Sequence, residues 1–357
     1  MHSRLHVRVA ATLVMLAAGP AASAQVSPFD RLPADVLEVT PPADRVRGAP
    51  GEMAVRQAAC RTIPLTEVRR RIVDVAVQEW GFFGFPIRDG TELDEADVPE
   101  RLAPDAAPPW ELPFFERRFS RRLSAEESAR VATSVAGYWA VTPQATMMIS
   151  RQNGSWTGAG TPRRADPWSA AFVSWVMCEA GLGRAGQFQR AIAHHVYIDQ
   201  AIRARDEGAP QAAFVAYDTG EAPIGPGDLL CAARRPVYRT LAERRRQMGV
   251  GARSHCDVVV KVDEHDGRIF AIGGNVGRAV SLKVLPAVRS RSGHLHASAI
   301  DEGRPVFAHL KLRTEPIEAH ALDNTPTIRA IACDAGFQAP APVSRVLPAV
   351  ASPGQRC

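Results

Sequence analysis

The order of hydrophobic patterns along the chain is the strongest constraint on its fold. Apolar residues recur at helical spacing in the first part, which predicts helices over about 65–80, 124–139, 166–181 and 189–206. Apolar runs follow later and predict strands at 229–232, 256–262, 268–272 and near 306–313. Helices that precede antiparallel strands predict an α+β fold, with N-terminal helices packed on a small antiparallel sheet.

Composition excludes several classes of protein. Of the 357 residues, 46% are hydrophobic and 23% are charged, which is typical of a globular chain and not of a collagen-like or disordered one. The net charge of +5 is too small to indicate a nucleic-acid partner. The cysteines and histidines show no metal-type spacing, so we expect no metal and no cofactor.

The first residues are similar to a secretory signal peptide. A short basic start precedes an apolar run over about 9–18, and the small-residue sequence ASA stands at 22–24. This pattern predicts cleavage after residue 24, so that 1–24 is a signal peptide. The apolar run is too short to span a bilayer. We therefore expect an exported protein, periplasmic or extracellular, without a stable membrane span.

Proline density sets the predicted domain boundaries. Residues 25–58 carry five prolines and little periodicity, which predicts a disordered lead-in. Residues 319–357 end in another proline-rich stretch and predict a loose C-terminal tail. Between them, 59–318 is predicted to be one α+β domain.

Six cysteines are compatible with disulfide bonds, because we expect the chain to be exported. The sequence does not choose their pairing. Cys178 and Cys256 lie in apolar segments, which favours buried thiols at these two positions.

Ser169 is the first candidate catalytic residue. It lies in the segment PWSAAFVSW, near the start of a predicted hydrophobic helix. Backbone N–H groups at a helix start are unpaired and the helix dipole is positive there, which favours a developing anion on a nucleophile. A serine at a helix start is also a common structural feature, so this observation alone leaves both readings open.

His255 and Asn275 are predicted to face each other across a hairpin. His255 opens the strand HCDVVVKV, on the opposite face from Cys256 and on the same face as Asp257. If residues 263–267 form the loop, so that Val262 pairs with Arg268, then His255 lies opposite Asn275. A one-residue bulge would shift this register. An asparagine amide in that position would orient the imidazole.

The motifs PWSAAFVSWV, PGDLL, SHCDVVV and IGGN follow one another in the order of the papain-like cell-wall amidases and peptidases, the NlpC-type and CHAP groups. Over about 65–315 the chain resembles most closely the bacterial domain of unknown function 2272, an outlying relative of those enzymes. The resemblance implies a papain-like fold and an amide-bond hydrolase. Ser169 stands where those enzymes carry a nucleophilic cysteine, and a serine needs stronger help from a general base.

Three hypotheses follow from this resemblance. The first is an exported papain-like hydrolase of amide bonds in peptidoglycan or a related envelope peptide, with Ser169 as nucleophile, His255 as base and Asn275 orienting His255. The second is a non-catalytic envelope-binding or scaffold protein on the same fold. The third is a serine esterase that uses the same groups. For all three we predict Trp168, His194 and Asp257 as substrate-binding residues.

Overall fold

A computed structural model of the chain describes residues 30–91, 125–156, 166–300, 304–334 and 341–347. The predicted signal peptide lies outside the described residues, as does residue 124, the predicted start of the second helix. The described helices are α1 (Ala34–Leu37), α2 (Leu65–Phe82), α3 (Ala125–Ala140), α4 (Ala145–Ser155), α5 (Ser169–Glu179), α6 (His195–Asp206), α7 (Leu241–Arg245), α8 (Pro326–Cys333) and α9 (Ala341–Val346), with 3-10 turns at Pro42–Arg45 and Ala321–Asn324.

The strands fall mostly in the later part of the chain, as the sequence predicts. They are β1 (Val46–Arg47), β2 (Ala54–Val55), β3 (Ile87–Asp89), β4 (Phe214–Tyr217), β5 (Leu229–Arg235), β6 (Arg253–Asp263), β7 (Arg268–Val276), β8 (Ala279–Arg289), β9 (Leu295–Ala297) and β10 (Val306–Leu312). The main sheet has the order β3-β8-β7-β6-β5-β10-β4, with β9 paired to β8. Its neighbours are antiparallel except β3 and β8, which are parallel.

The two faces of the sheet bury separate apolar clusters. Helices α2 and α5 pack on one face, over β6 and β7, where Cys256, Val258 and Ile272 belong to the main core. The other face buries Val259 and Ala271 in a smaller cluster, to which β9 contributes. This alternation along β6 follows from the two-residue period of a strand and confirms the predicted α+β class.

The lead-in differs from the prediction. Where the structure describes it, it carries α1, a 3-10 turn and a two-stranded pairing of β1 with β2, and it contributes Leu37, Val46 and Met53 to the main core. Gly137 on α3 makes this close packing possible, because a Cβ there would lie 1.9 Å from the carbonyl oxygen of Pro42. Prolines break periodicity but do not prevent single apolar side chains from packing, so the prediction of disorder is wrong for residues 30–58.

The C-terminal tail is also part of the core where it is described. Ile328 and Ile331 of α8 are buried, and so are Val343 and Leu347 at α9. Thr325 caps α8 by accepting a hydrogen bond from the backbone N–H of Ile328. The expectation of a loose tail therefore fails for residues 319–334 and 341–347, because α8 and the 3-10 turn before it pack on α2, and apolar side chains at α9 belong to the main core.

Cys178 and Cys256 are disulfide-bonded, so the prediction of two buried thiols is wrong. Cys178 pairs with Cys60, which ties the end of α5 to the segment just after the lead-in, and Cys256 pairs with Cys231 across β5 and β6. Both residues are as buried as a free thiol would be. Burial alone therefore could not separate the two states.

Candidate functional site

Ser169 is the first residue of α5, which begins three positions after the start predicted at residue 166. The first helical hydrogen bond here runs from the N–H of Phe172 to the carbonyl of Trp168. The N–H groups of Ala170 and Ala171 therefore have no partner within the helix. Ser169 is half-buried, so its hydroxyl lies beside these donors with partial access to solvent.

The hydroxyl of Ser169 contacts His194, which precedes α6. Ser169 Oγ and His194 Nε2 are 2.7 Å apart. On the other side of the ring, His194 Nδ1 meets the hydroxyl of Tyr197 and accepts the backbone N–H of Cys256 at 3.2 Å. His194, predicted as a substrate-binding residue, is thus the direct partner of Ser169, in the place where His255 was expected.

A break in the sheet explains why the N–H of Cys256 reaches a side chain. The ladder between β6 and β7 ends at the pair Val258–Ile272. At its loop the hairpin differs from the prediction, because Asp263 pairs with Arg268. After the register shift between Val259 and Lys261, the pairs Val259–Ala271 and Val258–Ile272 are those of the predicted register. With no β7 partner beyond Val258, the N–H of Cys256 is satisfied by His194 instead.

The backbone contact at Nδ1 favours one tautomer of His194. A backbone N–H can only donate, so Nδ1 must be its acceptor, and the proton of the neutral ring then sits on Nε2. The Nε2–H group donates to Ser169 Oγ. Burial lowers the pKa of His194 well below its ordinary value of 6.5, and the neighbouring charge of His255 lowers it further. His194 is therefore neutral and acts as a hydrogen-bond donor to the serine.

His255 belongs to a buried polar chain on the other face of β6. Its Nε2 lies 2.6 Å from Asp257 Oδ1, and Lys283 Nζ on β8 donates to Asp257 Oδ2 at 2.8 Å. All three side chains are at most 3% exposed. Burial alone would raise the pKa of Asp257, but the charges and hydrogen bonds of His255 and Lys283 hold it well below its ordinary range.

Asp257 therefore orients His255, the role predicted for Asn275. Gly273 on β7 leaves the space that the carboxylate needs, because a Cβ there would lie 1.8 Å from Asp257 Oδ1. Asn275 has a left-handed backbone with φ of 58° and lies where the β7–β8 register shifts between Gly273 and Val276. The pairing of β6 with β7 ends at Val258–Ile272, so the predicted register does not extend to His255 and Asn275.

The rings of His194 and His255 lie side by side, with centroids 5.3 Å apart. His194 is thus in contact with both predicted catalytic elements, the start of α5 and the start of β6. Among the described residues, the hydroxyl of Ser169 bonds His194 and not His255. Trp168, predicted to bind substrate, is 4% exposed and packs against Phe83 and Tyr138 in the core.

Sequence reasoning missed two residues of this site. Tyr197 lies three positions after His194, a spacing that places both on one side of a helix start, and this signal was present in the sequence. Lys283 interrupts an apolar strand, and a lysine in such a position needs a buried anion. Its partner Asp257 lies on a strand two places away in the sheet, which local spacing cannot reveal.

The chain belongs to the bacterial family described as uncharacterized proteins conserved in bacteria, domain of unknown function 2272, which matches residues 126–312, slightly more than half of the chain. The match covers Ser169, His194, His255, Asp257 and Lys283. No curated protein and no solved structure matches the chain. Within the part of the chain that the structure describes, no helix is long and apolar enough to cross a membrane.

Proposed function

We propose that this protein binds a peptide of the cell envelope at the start of α5 and does not cleave it. The proposal takes the envelope location from the signal-like segment 1–24, and the class of ligand from the resemblance to the papain-like cell-wall amidases. The observation that carries it is the hydrogen bonding of His194, which donates to Ser169 where a serine hydrolase needs an acceptor.

The start of α5 offers donors that suit a carbonyl or carboxylate oxygen. Because Ser169 Oγ accepts from His194, its own proton is free to point toward a ligand. The N–H groups of Ala170 and Ala171 and the positive end of the helix dipole lie next to it. A peptide carbonyl or a terminal carboxylate would meet several donors here.

Two properties of His194 argue against cleavage. A catalytic base must present an unprotonated Nε2 to the serine, which moves the ring proton to Nδ1 and leaves the N–H of Cys256 without an acceptor. An unsatisfied buried N–H costs about 1–3 kcal/mol, so the competent tautomer would be a minor one. The pKa of His194, lowered by burial, also makes it a weak base for a serine hydroxyl.

Slow hydrolysis of an amide bond is the second candidate, and the pair of His255 and Asp257 favours it. A buried carboxylate at 2.6 Å from Nε2 orients an imidazole as catalytic carboxylates do. For this activity a substrate would have to bring Ser169 into contact with His255. The serine esterase hypothesis uses the same groups and has no separate observation in its favour.

Product release from purified cell wall, measured beside peptide binding, separates the two candidates. The variants are wild type, Ser169→Ala and Ser169→Cys, with Ser155→Ala as a matched control because Ser155 Oγ only donates to a carbonyl within α4. We expect a soluble envelope peptide to bind wild type and the control. Ser169→Ala should bind it about 3- to 10-fold more weakly, as for the loss of one hydrogen bond.

We expect no product from any of the four proteins, including Ser169→Cys, because a better nucleophile does not correct the tautomer of His194. Turnover by wild type that is lost in Ser169→Ala would contradict the binding proposal and support the hydrolase. Equal peptide binding by wild type and Ser169→Ala would show that the start of α5 is not the binding site.

A further inference from the structure

A cleft of about 400 Å³ lies between α2 and the segment that leads into α8, and it contains a buried carboxyl oxygen without a hydrogen-bond partner among the described residues. Its lining residues are Arg70, Asp74, Glu318, Asn324, Pro326 and Arg329. None of them belongs to the site around Ser169. A volume of this size suits a small ligand, since small-molecule sites measure roughly 300–1,000 Å³.

Asp74 is the unusual member of this cleft. Asp74 is only 9% exposed, and its Oδ1 atom is buried with no hydrogen-bond partner among the described residues. Arg70, one helical turn earlier, is already paired with Glu318. The charges of Arg70 and Arg329 act on Asp74, but no described group donates a hydrogen bond to its buried Oδ1, and a ligand could supply that donor.

Arg329 is the complementary group on the other wall. It is exposed on α8 and forms no ion pair within the described residues. A simple anion at Arg329 would leave Asp74 unpartnered and would be repelled by it once ionised. A simple cation at Asp74 would leave Arg329 unpaired. A ligand that carries a positive and a negative charge would pair with Asp74 on one wall and with Arg329 on the other.

We propose that this cleft binds a small zwitterion, the ammonium and carboxylate head of an amino acid. The ammonium group lies at Asp74, with Glu318 as a second anion, and the carboxylate lies at Arg329, where the guanidinium can bind it through two N–H groups. The pKa of Asp74 fits this assignment, because burial raises it to about 7 and a bound ammonium would lower it.

Calorimetric titration of the full chain with glycine tests the proposal. Acetate and methylammonium serve as half-ligands that carry one charge each. The variants are Asp74→Asn, which keeps the shape of the side chain, and Arg329→Gln; Arg291→Gln, at another exposed arginine outside the cleft, is the matched control. We expect saturable glycine binding by wild type and the control, and at least about tenfold weaker binding by each cleft variant.

Each half-ligand should bind at least about tenfold more weakly than glycine, since it loses one charge-assisted interaction. Thermal unfolding of every variant shows that lost binding is not lost folding, and Asp74→Asn should melt at or above the wild-type temperature at pH 8. Absence of saturable glycine binding at millimolar concentration would overturn the proposal. Acetate binding as tight as glycine binding, or unchanged binding by Asp74→Asn, would also overturn it.

Discussion

The carboxylate of Asp257 fills the space that a side chain at Gly273 would need. A Cβ on Gly273 would lie 1.8 Å from Oδ1 of Asp257. The carboxylate cannot retreat, because His255 and Lys283 hold its two oxygens at 2.6 and 2.8 Å. Glycine is therefore needed at position 273 to make room for Asp257. Its backbone conformation does not need a glycine, because its φ is not in the left-handed region.

We predict that Gly273→Ala lowers the free energy of unfolding by about 3 kcal/mol, the upper part of the range for overpacking a core. Gly251→Ala is the matched control, since a Cβ there meets no atom within 4 Å. Denaturant unfolding measures both. Equal stability of the two variants would show that Asp257 moves freely, which would contradict the rigid placement of His255.

Lys283 should matter through the charge of Asp257. Lys283→Met removes one of the two cationic partners of a buried carboxylate and should destabilise the protein by about 3 kcal/mol at neutral pH. Lys311→Met, which removes only a hydrogen bond to the carbonyl of Pro223, is the control and should cost much less. The pKa of Asp257 is lowered in the folded state, so its stabilising contribution is present above the ordinary value of 3.8 and is lost as pH falls below it.

The difference between wild type and Lys283→Met should therefore shrink on acidification below that value. Chemical denaturation at pH 7 and pH 3 measures it. A difference that stays constant across this range would mean that packing of the lysine stem, and not the ion pair, carries the effect.

Asp74 should make stability fall as pH rises. Its folded pKa is raised from 3.8 to about 7, so between these values the unfolded chain loses a proton that the folded chain keeps. The penalty grows across this window and is complete above about pH 7, where it amounts to roughly 4 kcal/mol at most. Asp74→Asn lacks it, so its stability advantage over wild type should increase from pH 4 to pH 8. A constant difference would contradict the raised pKa.

The lead-in should resist protease from residue 30 onward, because a buried ion pair holds it. Arg45 Nε donates to Glu179 Oε1 at 2.8 Å, and both side chains are 3% exposed. Glu179→Gln should destabilise the chain by about 3 kcal/mol, since it leaves a buried arginine without its anion. Glu38→Gln is the control, because Glu38 is 67% exposed in its ion pair with Arg61. Limited proteolysis that trims wild type as far as residue 58 would contradict this account.

Local pattern predicted most of the elements around the site. The apolar period of 3.6 located α2 and α5, and the runs of valine and isoleucine located β6 and β7, because these elements bury a whole face or stripe. β8 escaped prediction because Lys283 and Pro286 interrupt its apolar run. The elements of the lead-in were not predicted, because its buried apolar side chains stand singly between prolines and form no periodic pattern.

The site was only partly accessible from sequence for a different reason. Ser169 and His255 were found because each stands at the start of an element with a strong pattern. The hydrogen-bond partners of the site depend on where the pairing of β6 with β7 ends. This pairing ends at Ile272, which lets the N–H of Cys256 donate to His194. A register that assumes continuous pairing carries His255 to Asn275, whereas the pairing of β6 with β7 ends at Ile272 and Asp257, two positions along β6, orients His255.

The protonation of His194 is the most direct test of the account, because binding without cleavage depends on it. In the protein labelled with ¹⁵N-histidine, long-range ¹H–¹⁵N correlations distinguish the two neutral tautomers and follow their titration. We predict a proton on Nε2, a bare Nδ1 and a pKa of His194 well below its ordinary value of 6.5. A proton on Nδ1, or a pKa of His194 near its ordinary value of 6.5, would contradict the account and make Ser169 a competent nucleophile.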